Sequence, residues 1–206
     1  MRGVIMIVFI GLLASSLWLM GSDAEVDAPI LGKSYPDIQG IDQGGQVVKL
    51  SSFKGSVVLV ELIGMTCAGC QGFVGGNRVG GYGGITPQKD LKSVEDYFPV
   101  YTPGLSLKDS GVVYVQVLCY SLTLKAPTPE DVKKWAEHFK VDRSKNHIVI
   151  AASPELFGKD TFGMIPGFHL VDKNFNFAAD SAGHHPKQNF FTDLLPMIPK
   201  LLKNYP

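Results

Sequence analysis

Two runs of apolar, β-branched residues most constrain how this chain can fold. Ser56 to Gly64 reads SVVLVELIG and Gly111 to Tyr120 reads GVVYVQVLCY. Hydrophobicity that is continuous rather than alternating, over this length, marks strands buried within a sheet. Asn146 to Ala152 and Gly167 to Asp172 read as two more. Asn174 to Ala179 is expected to be a fifth, entered by a turn at Lys173-Asn174. Upstream, Tyr35 to Leu50 holds two short extended stretches around the turn residues Asp42-Gln43-Gly44-Gly45, the pattern of a hairpin.

Helical patterns alternate with these strands. Thr86-Pro87 predicts a helix with Thr as N-cap and Pro at its first position, placing Leu91, Val94 and Phe98 on one face. Thr128-Pro129-Glu130-Asp131 predicts another through an acidic capping box. Its apolar stripe is Val132, Trp135, Ala136 and Phe139. Residues 188–204 carry a third stripe, which Pro196 and Pro199 must kink or divide. Strands alternating with helices indicate an α/β fold, and 206 residues suffice for one domain of ordinary size. With 45% apolar and 18% charged residues the chain is not disordered. Lys plus Arg and Asp plus Glu are 19 each, so no field exists to attract nucleic acid or a basic partner.

The N-terminus stands apart from the core. Arg2 precedes Gly3 to Ser22, an uncharged apolar run. This reads as a secretory signal ending at the small-x-small site Ser22-Asp23-Ala24, or as an uncleaved membrane anchor of about the 20 residues a bilayer needs. Either form exports the remainder. Residues 1–24 are therefore assigned to the signal or anchor, 25–34 to a linker and 35–206 to the domain.

The chemistry concentrates at Cys67-Ala68-Gly69-Cys70, directly after the first strand. If the chain turns there into a helix, Cys67 sits at the helix N-terminus, where free N–H groups and the dipole stabilise a thiolate. Cys70 falls on the same face, near enough to close a disulfide. A passive structural disulfide is the plain alternative, although so short a loop stabilises little. Residues 69–84 hold eight of the chain's 23 glycines. Gly at this density is not expected to hold a helix, so the stretch reads as a mobile surface loop or as a lid beside the cysteines. It contains no nucleotide-binding Gly pattern.

Two resemblances bear on the pair. Gly64-Met65-Thr66-Cys67-Ala68-Gly69-Cys70 is similar to the signature of heavy-metal-associated domains, which hold Cu(I) between two thiolates. Those domains are about half this size and follow the pair with a regular helix. Over residues 30–180 the chain resembles the TlpA-like thiol–disulfide oxidoreductases of the thioredoxin superfamily. The matching pieces are Gly32-Lys33-Ser34-Tyr35-Pro36-Asp37, Val48 to Gly55, Val57 to Val60, the C-x-x-C pair, and Ile165-Pro166-Gly167-Phe168-His169-Leu170-Val171-Asp172-Lys173. It departs in the approach to the pair, Leu62 to Thr66, and in the Gly-rich insertion.

The TlpA-like resemblance implies a thioredoxin-like fold, with a mixed sheet flanked by helices. It implies that Cys67 attacks a partner disulfide and Cys70 resolves the mixed disulfide, the two closing a Cys67–Cys70 disulfide. Glu61, inside the apolar strand, becomes a buried acid of raised pKa that takes the Cys70 proton; its alternative is an edge-strand Glu facing water. Pro166 becomes a cis-proline that frees the Ile165 backbone to pair with an extended substrate. Met65 and Thr66 complete the substrate-contacting set with Ile165. No cofactor and no metal site is expected. The implied partners are protein thiols or disulfides and a membrane-bound electron donor, with membrane contact only through the N-terminal segment. The location implied is the periplasm, and the neutral Ala68-Gly69 dipeptide suggests a reductase. The alternatives are a Cu(I)-binding protein using the same pair and an inert interaction domain of the same fold.

Other candidates carry less. Cys119, at the end of a strand, reads as a buried apolar residue or as a relay thiol near the pair. His184-His185-Pro186 reads as loop rather than metal site. His169 resembles the histidine of Sco-type copper proteins, but their C-x-x-x-C pair is absent. His138 and His147 carry no signal.

Overall fold

In the computed structural model, residues 27–109 and 111–203 are described. The segment read as signal or anchor, residues 1–24, lies outside them. A five-stranded sheet runs in the order β5 (His147–Ala151), β4 (Val112–Tyr120), β3 (Val57–Gly64), β7 (Gly167–Val171) and β8 (Phe177–Ala182). Its centre is β3, flanked by β4. Every residue of both is buried, as their continuous apolar runs require. β3, β4 and β5 are parallel, while β7 and β8 add in antiparallel fashion.

Each edge of the sheet carries an added segment, which shields part of the edge strand. At one edge sits the predicted hairpin, β1 (Gln39–Ile41) and β2 (Val47–Lys49). Asp42 caps its turn by accepting from the N–H groups of Gly44 and Gln46, each at 2.9 Å. The buried Asp42 carboxylate also pairs with Arg143, and Asp42 bridges to Ile150 of β5. At the other edge, residues 32–34 pair with β8. Gly32 N–H donates to Phe177 O and Phe177 N–H to Lys33 O, both at 2.8 Å. The last three residues of the expected linker thus belong to the folded unit.

β8 starts three residues later than expected. Asp172 Oδ1 accepts from the N–H groups of Asn174 and Asn176, and Phe175 takes φ +69°. The turn therefore runs to Asn176 before pairing resumes. An unexpected short strand, β6 (Leu156–Lys159), precedes β7.

Helices cover both faces. On one, α4 (Pro129–Phe139) buries the predicted stripe Val132, Trp135, Ala136 and Phe139. Its Thr128–Asp131 capping box is formed. On the other, α3 (Val94–Tyr101) and α5 (Leu195–Lys203) pack Val94, Phe98, Leu195 and Ile198 against Val57, Leu59 and Val112. The α3 start is a correction. The helix is capped by Ser93 and Asp96, which form a reciprocal box, and not by Thr86. Asp90 adopts φ +66°, which no continuous helix from Pro87 could accommodate. The third stripe is divided ahead of Pro196, while Pro199 lies inside α5 (Leu195–Lys203). A π-helical turn, Phe190–Leu194, precedes α5, with Pro196 in the first turn of the α-helix.

The Gly-rich stretch is also corrected. It holds two short helices, α1 (Ala68–Phe73) and α2 (Gly76–Val79). Their glycines serve close packing. A Cβ at Gly72 would stand 2.9 Å from Leu91 Cβ, and one at Gly76 would stand 2.7 Å from Pro87 Cγ. Gly75, between the helices, takes φ +101° and lets the chain change direction.

Candidate functional site

The C-terminal end of β3 builds the site. Register across β3 and β4 steps from Ile63 opposite Leu118 to Gly64 opposite Tyr120, leaving Cys119 as the extra residue of a bulge. The bulge swings the Tyr120 ring into the space that a Cβ on Gly64 would fill. Only glycine fits there. Met65 N–H then donates to Tyr120 O, and Cys67 N–H to Gly64 O, both at 3.0 Å, turning the chain into α1.

Cys67 is the N-cap of α1, and its Sγ accepts from Cys70 N–H at 3.1 Å. The Cys70 thiol also donates to it, with further support from the Cys70 and Gly69 amides. Together these hold the half-buried Cys67 thiol down at about 7, against the desolvation that opposes them. With only six residues in α1, these particular donors, more than a long helix dipole, favour the thiolate. Cys70 is fully buried, and its thiol is pushed well above its ordinary value by desolvation and by the neighbouring Cys67 sulfur. Both cysteines are free thiols. The pair is asymmetric, with one accessible, acidic sulfur in front of a buried, weakly acidic one.

Glu61 is wholly buried on β3, opposite Gln116 of β4. The edge-strand alternative is thereby removed. Desolvation raises its carboxyl to about 8, offset in part by hydrogen bonds from Tyr114 and Gln116. Tyr114 O–H donates to Oε2, and Gln116 Nε2 donates to the same oxygen at 3.1 Å. The carboxyl also interacts electrostatically with Cys67 and Cys70.

The Ile165–Pro166 bond is cis. A Cβ at Gly69 would stand 3.3 Å from Pro166 Cγ, 3.2 Å from Gln88 Oε1 and 3.9 Å from Cys67 Sγ. Pro166 therefore faces the C-x-x-C turn from one side and the Gln88 amide from another. Ile165 N–H already donates to Phe162 O at 3.3 Å, which leaves its carbonyl as the group to offer an extended partner. Met65 is completely buried, so its side chain presents no surface to a substrate, contrary to expectation. Thr66 is half-buried and hydrogen-bonds to the Tyr120 hydroxyl. Tyr120 in turn stacks on the exposed Phe162 at 5.1 Å.

The glycine-rich segment is tied to the pair by a residue the sequence reading missed. Gln71, fully buried, donates from Nε2 to Met65 O (2.7 Å) and Tyr82 O (3.0 Å), and accepts from Tyr82 N–H at 2.7 Å. His138 meets Gly80 O at 3.0 Å, and the Tyr82 ring packs edge-on against Trp135. The segment is thus packed rather than a loose loop. Gln71 and Gln88 had no sequence signal. Gln116 and Tyr114 had one, being polar groups inside an apolar strand that pairs with the strand of Glu61.

The remaining candidates fall elsewhere. Cys119 is buried, and desolvation pushes its thiol up to about 12. His169, buried on β7, meets the Tyr35 hydroxyl at 2.8 Å and Asp180 at 3.6 Å; burial lowers it to about 4. His184 and His185 are exposed. Among the described residues no three His, Cys, Asp or Glu side chains cluster as metal ligands would.

No protein-family model matches the sequence, and no curated protein matches it. Solved structures do match by fold. The thioredoxin domain of a thiol-disulfide oxidoreductase from Bacteroides vulgatus is 20% identical, with a TM-score of 0.52 over 85% of this chain and 99% of that one. A thiol:disulfide interchange protein from a Bacteroides species is 21% identical, with a TM-score of 0.50 over 84% and 91%. With the mixed sheet, flanking helices and N-terminal hairpin, this likeness establishes the thioredoxin-like fold.

Proposed function

We propose that this chain is an exported thiol–disulfide oxidoreductase working as a reductase through Cys67 and Cys70. The observation that carries the reading is the asymmetry of the pair, with Cys67 half-exposed near pKa 7 and Cys70 buried behind it. The names of the two solved structures described above agree with it.

In the forward direction the Cys67 thiolate attacks one sulfur of a partner disulfide. A Cys67–partner disulfide forms and the second partner sulfur leaves as a thiolate. Glu61 then takes the Cys70 proton, and the Cys70 thiolate attacks Cys67 Sγ. The mixed disulfide breaks, the Cys67–Cys70 disulfide forms, and the first partner sulfur departs. Two electrons pass from the pair to the partner, and Glu61 returns its proton to the water side. The Ile165 carbonyl beside Pro166 holds an extended partner segment in place. A membrane-bound thiol donor would restore the dithiol.

Support for the reductase direction comes from what stabilises Cys67. Its donors are Cys70 and two backbone amides, with no cation among them. A thiol near 7 matches thioredoxin (about 7) rather than a strong oxidant such as DsbA (about 3.5). Burial of Cys70 and Met65 leaves one accessible sulfur where the Cu(I) reading wants two, and this favours redox work. Export rests on residues 1–24 of the sequence, while among the described residues no helix is long and apolar enough to cross a membrane.

The test is insulin reduction by metal-free protein, together with the potential of the pair in defined thiol buffers. Turnover and a potential of about −270 mV are expected. Cys70→Ser should trap partners on Cys67, and Cys67→Ser should trap none. Copper that survives dialysis at one ion per chain, with no insulin reduction, would establish the Cu(I) reading instead. Inactivity without copper would leave the interaction domain. N-terminal sequencing of the mature protein distinguishes a cleaved signal from an anchor.

A further inference from the structure

Among the described residues two buried side-chain atoms lack any hydrogen-bond partner, and one is Glu61 Oε1. Both donors to that carboxyl aim at the other oxygen. The arrangement starts at Trp135 on α4, whose indole N–H donates to Gln116 Oε1 at 3.2 Å. An indole nitrogen can only donate. A flipped Gln116 amide would set its NH₂ against that N–H, so Nε2 is committed to the opposite side. There it donates to Glu61 Oε2 at 3.1 Å and to the Tyr114 oxygen at 3.2 Å. Tyr114, accepting from Gln116, has its own hydrogen left to give, and gives it to Oε2. Its ring is held by stacking on His147 at 4.4 Å, and His147 meets Glu95 at 3.6 Å. Every donor in the chain thus points one way, and Oε1 is left bare.

We propose that Trp135, Gln116 and Tyr114 are positioning residues that commit Glu61 Oε1 to the proton exchanged with Cys70. The inference rests on the proposed redox reading for its purpose but not for its geometry. An oxygen already accepting two hydrogen bonds is a poor place for a proton, and the bare one is a good place. The step is Cys70–SH plus Glu61–COO⁻ giving Cys70–S⁻ plus Glu61–COOH, with the new O–H on Oε1. The titratable groups that act on the carboxyl are Tyr114 from β4, by hydrogen bond, and Cys67 at the N-cap of α1 and Cys70 within it, by charge. β7 presents Phe168 at this register, which carries no charge.

The experiment follows the Glu61 carboxyl by isotope-edited infrared or ¹³C NMR titration of the full dithiol protein, with no partner present. Tyr114→Phe removes a donor that favours the carboxylate, so the titration should move up by about one to two pH units. Trp135→Phe never touches Glu61, yet it frees the Gln116 amide to rotate, and should move the titration up by up to about one unit. Phe139→Leu, a neighbour of Trp135 in the same core, should lower the melting temperature and leave the titration in place. The pH profile of mixed-disulfide resolution should shift with the carboxyl titration. Shifted titrations without any turnover would overturn the redox reading and support the positioning. Folded Tyr114→Phe and Trp135→Phe proteins that titrate as wild type would overturn the positioning, whatever the turnover.

Discussion

Glu61→Gln should abolish the pH dependence of stability that Glu61 imposes. Desolvation raises the folded-state carboxyl from 4.5 to about 8. Between these values the folded chain holds a proton that the unfolded chain has released, so folding weakens as pH rises. The sign follows directly. Stability is fully present below about 4.5, is lost progressively up to about 8, and is level above that. From the two values the loss is about 1 kcal/mol at pH 5, about 3 at pH 7 and about 5 at pH 9. The amide cannot ionise, so this loss disappears in the variant. Its oxygen must take the Oε2 place, where Tyr114 and Gln116 donate. Its NH₂ then lies at the bare oxygen's position without an acceptor, a fixed cost of about 1–3 kcal/mol. The two stability curves should therefore cross, with the variant more stable by about 2–4 kcal/mol at pH 9. His169 titrates alike in both proteins, whereas Cys67 feels the Glu61 charge, so the difference reads the carboxyl together with its coupling to that thiol. Urea unfolding followed by fluorescence of the buried Trp135, at pH 5, 7 and 9, supplies the curves. A difference that stays constant with pH would falsify the argument, since Glu61 would then titrate as an ordinary exposed carboxyl.

Three further outcomes are expected. In dithiol protein iodoacetamide should modify Cys67 half-maximally near pH 7, leaving the buried Cys70 and Cys119 unmodified; labelling of Cys70 first would reverse the assignment of attacking and resolving thiols. Gly64→Ala should cost about 1–3 kcal/mol in thermal unfolding, because a methyl must displace the Tyr120 ring, and an unchanged melting temperature would mean that the bulge does not hold the ring there. Gln71→Leu strips hydrogen bonds from Met65 O, Tyr82 O and Tyr82 N–H, so about 2–5 kcal/mol should be lost. The Tyr82 amide should also exchange faster with solvent, and wild-type protection there would show the segment to be held by other contacts.

The parts of the fold legible in the sequence were those decided by local chemistry. β3 and β4 follow from unbroken β-branched runs, and α4 follows from a capping box joined to an apolar stripe. Where two local signals competed, the structure chose by tertiary fit. Thr86-Pro87 and Ser93-Asp96 both begin helices well, but Asn77 holds the carbonyls of Gln88 and Leu91, and Gln88 N–H reaches Ala68 O. That tether keeps residues 86–92 out of a helix and beside the pair. The cysteines and Glu61 were visible because each is chemically out of place in its surroundings. Gln88 was not, since an exposed glutamine acquires meaning only from what lies next to it.

Glycine density misled the reading for a physical reason. Conformational freedom is one cause of Gly, and the absence of a Cβ is another, and composition alone does not separate them. Around this site the second cause dominates at Gly64, Gly69, Gly72 and Gly76, each pressed against a ring, a proline, a leucine or a backbone carbonyl. A chain so crowded is stiff where its composition suggests it is loose. That stiffness bears on chemistry through Gln71, which follows Cys70 and clamps Tyr82 to Met65, the residue two before Cys67. The insertion thereby fixes both ends of the C-x-x-C turn. With the turn held, Cys70 N–H stays 3.1 Å from Cys67 Sγ, and the donor set that makes Cys67 the acidic sulfur of the pair persists.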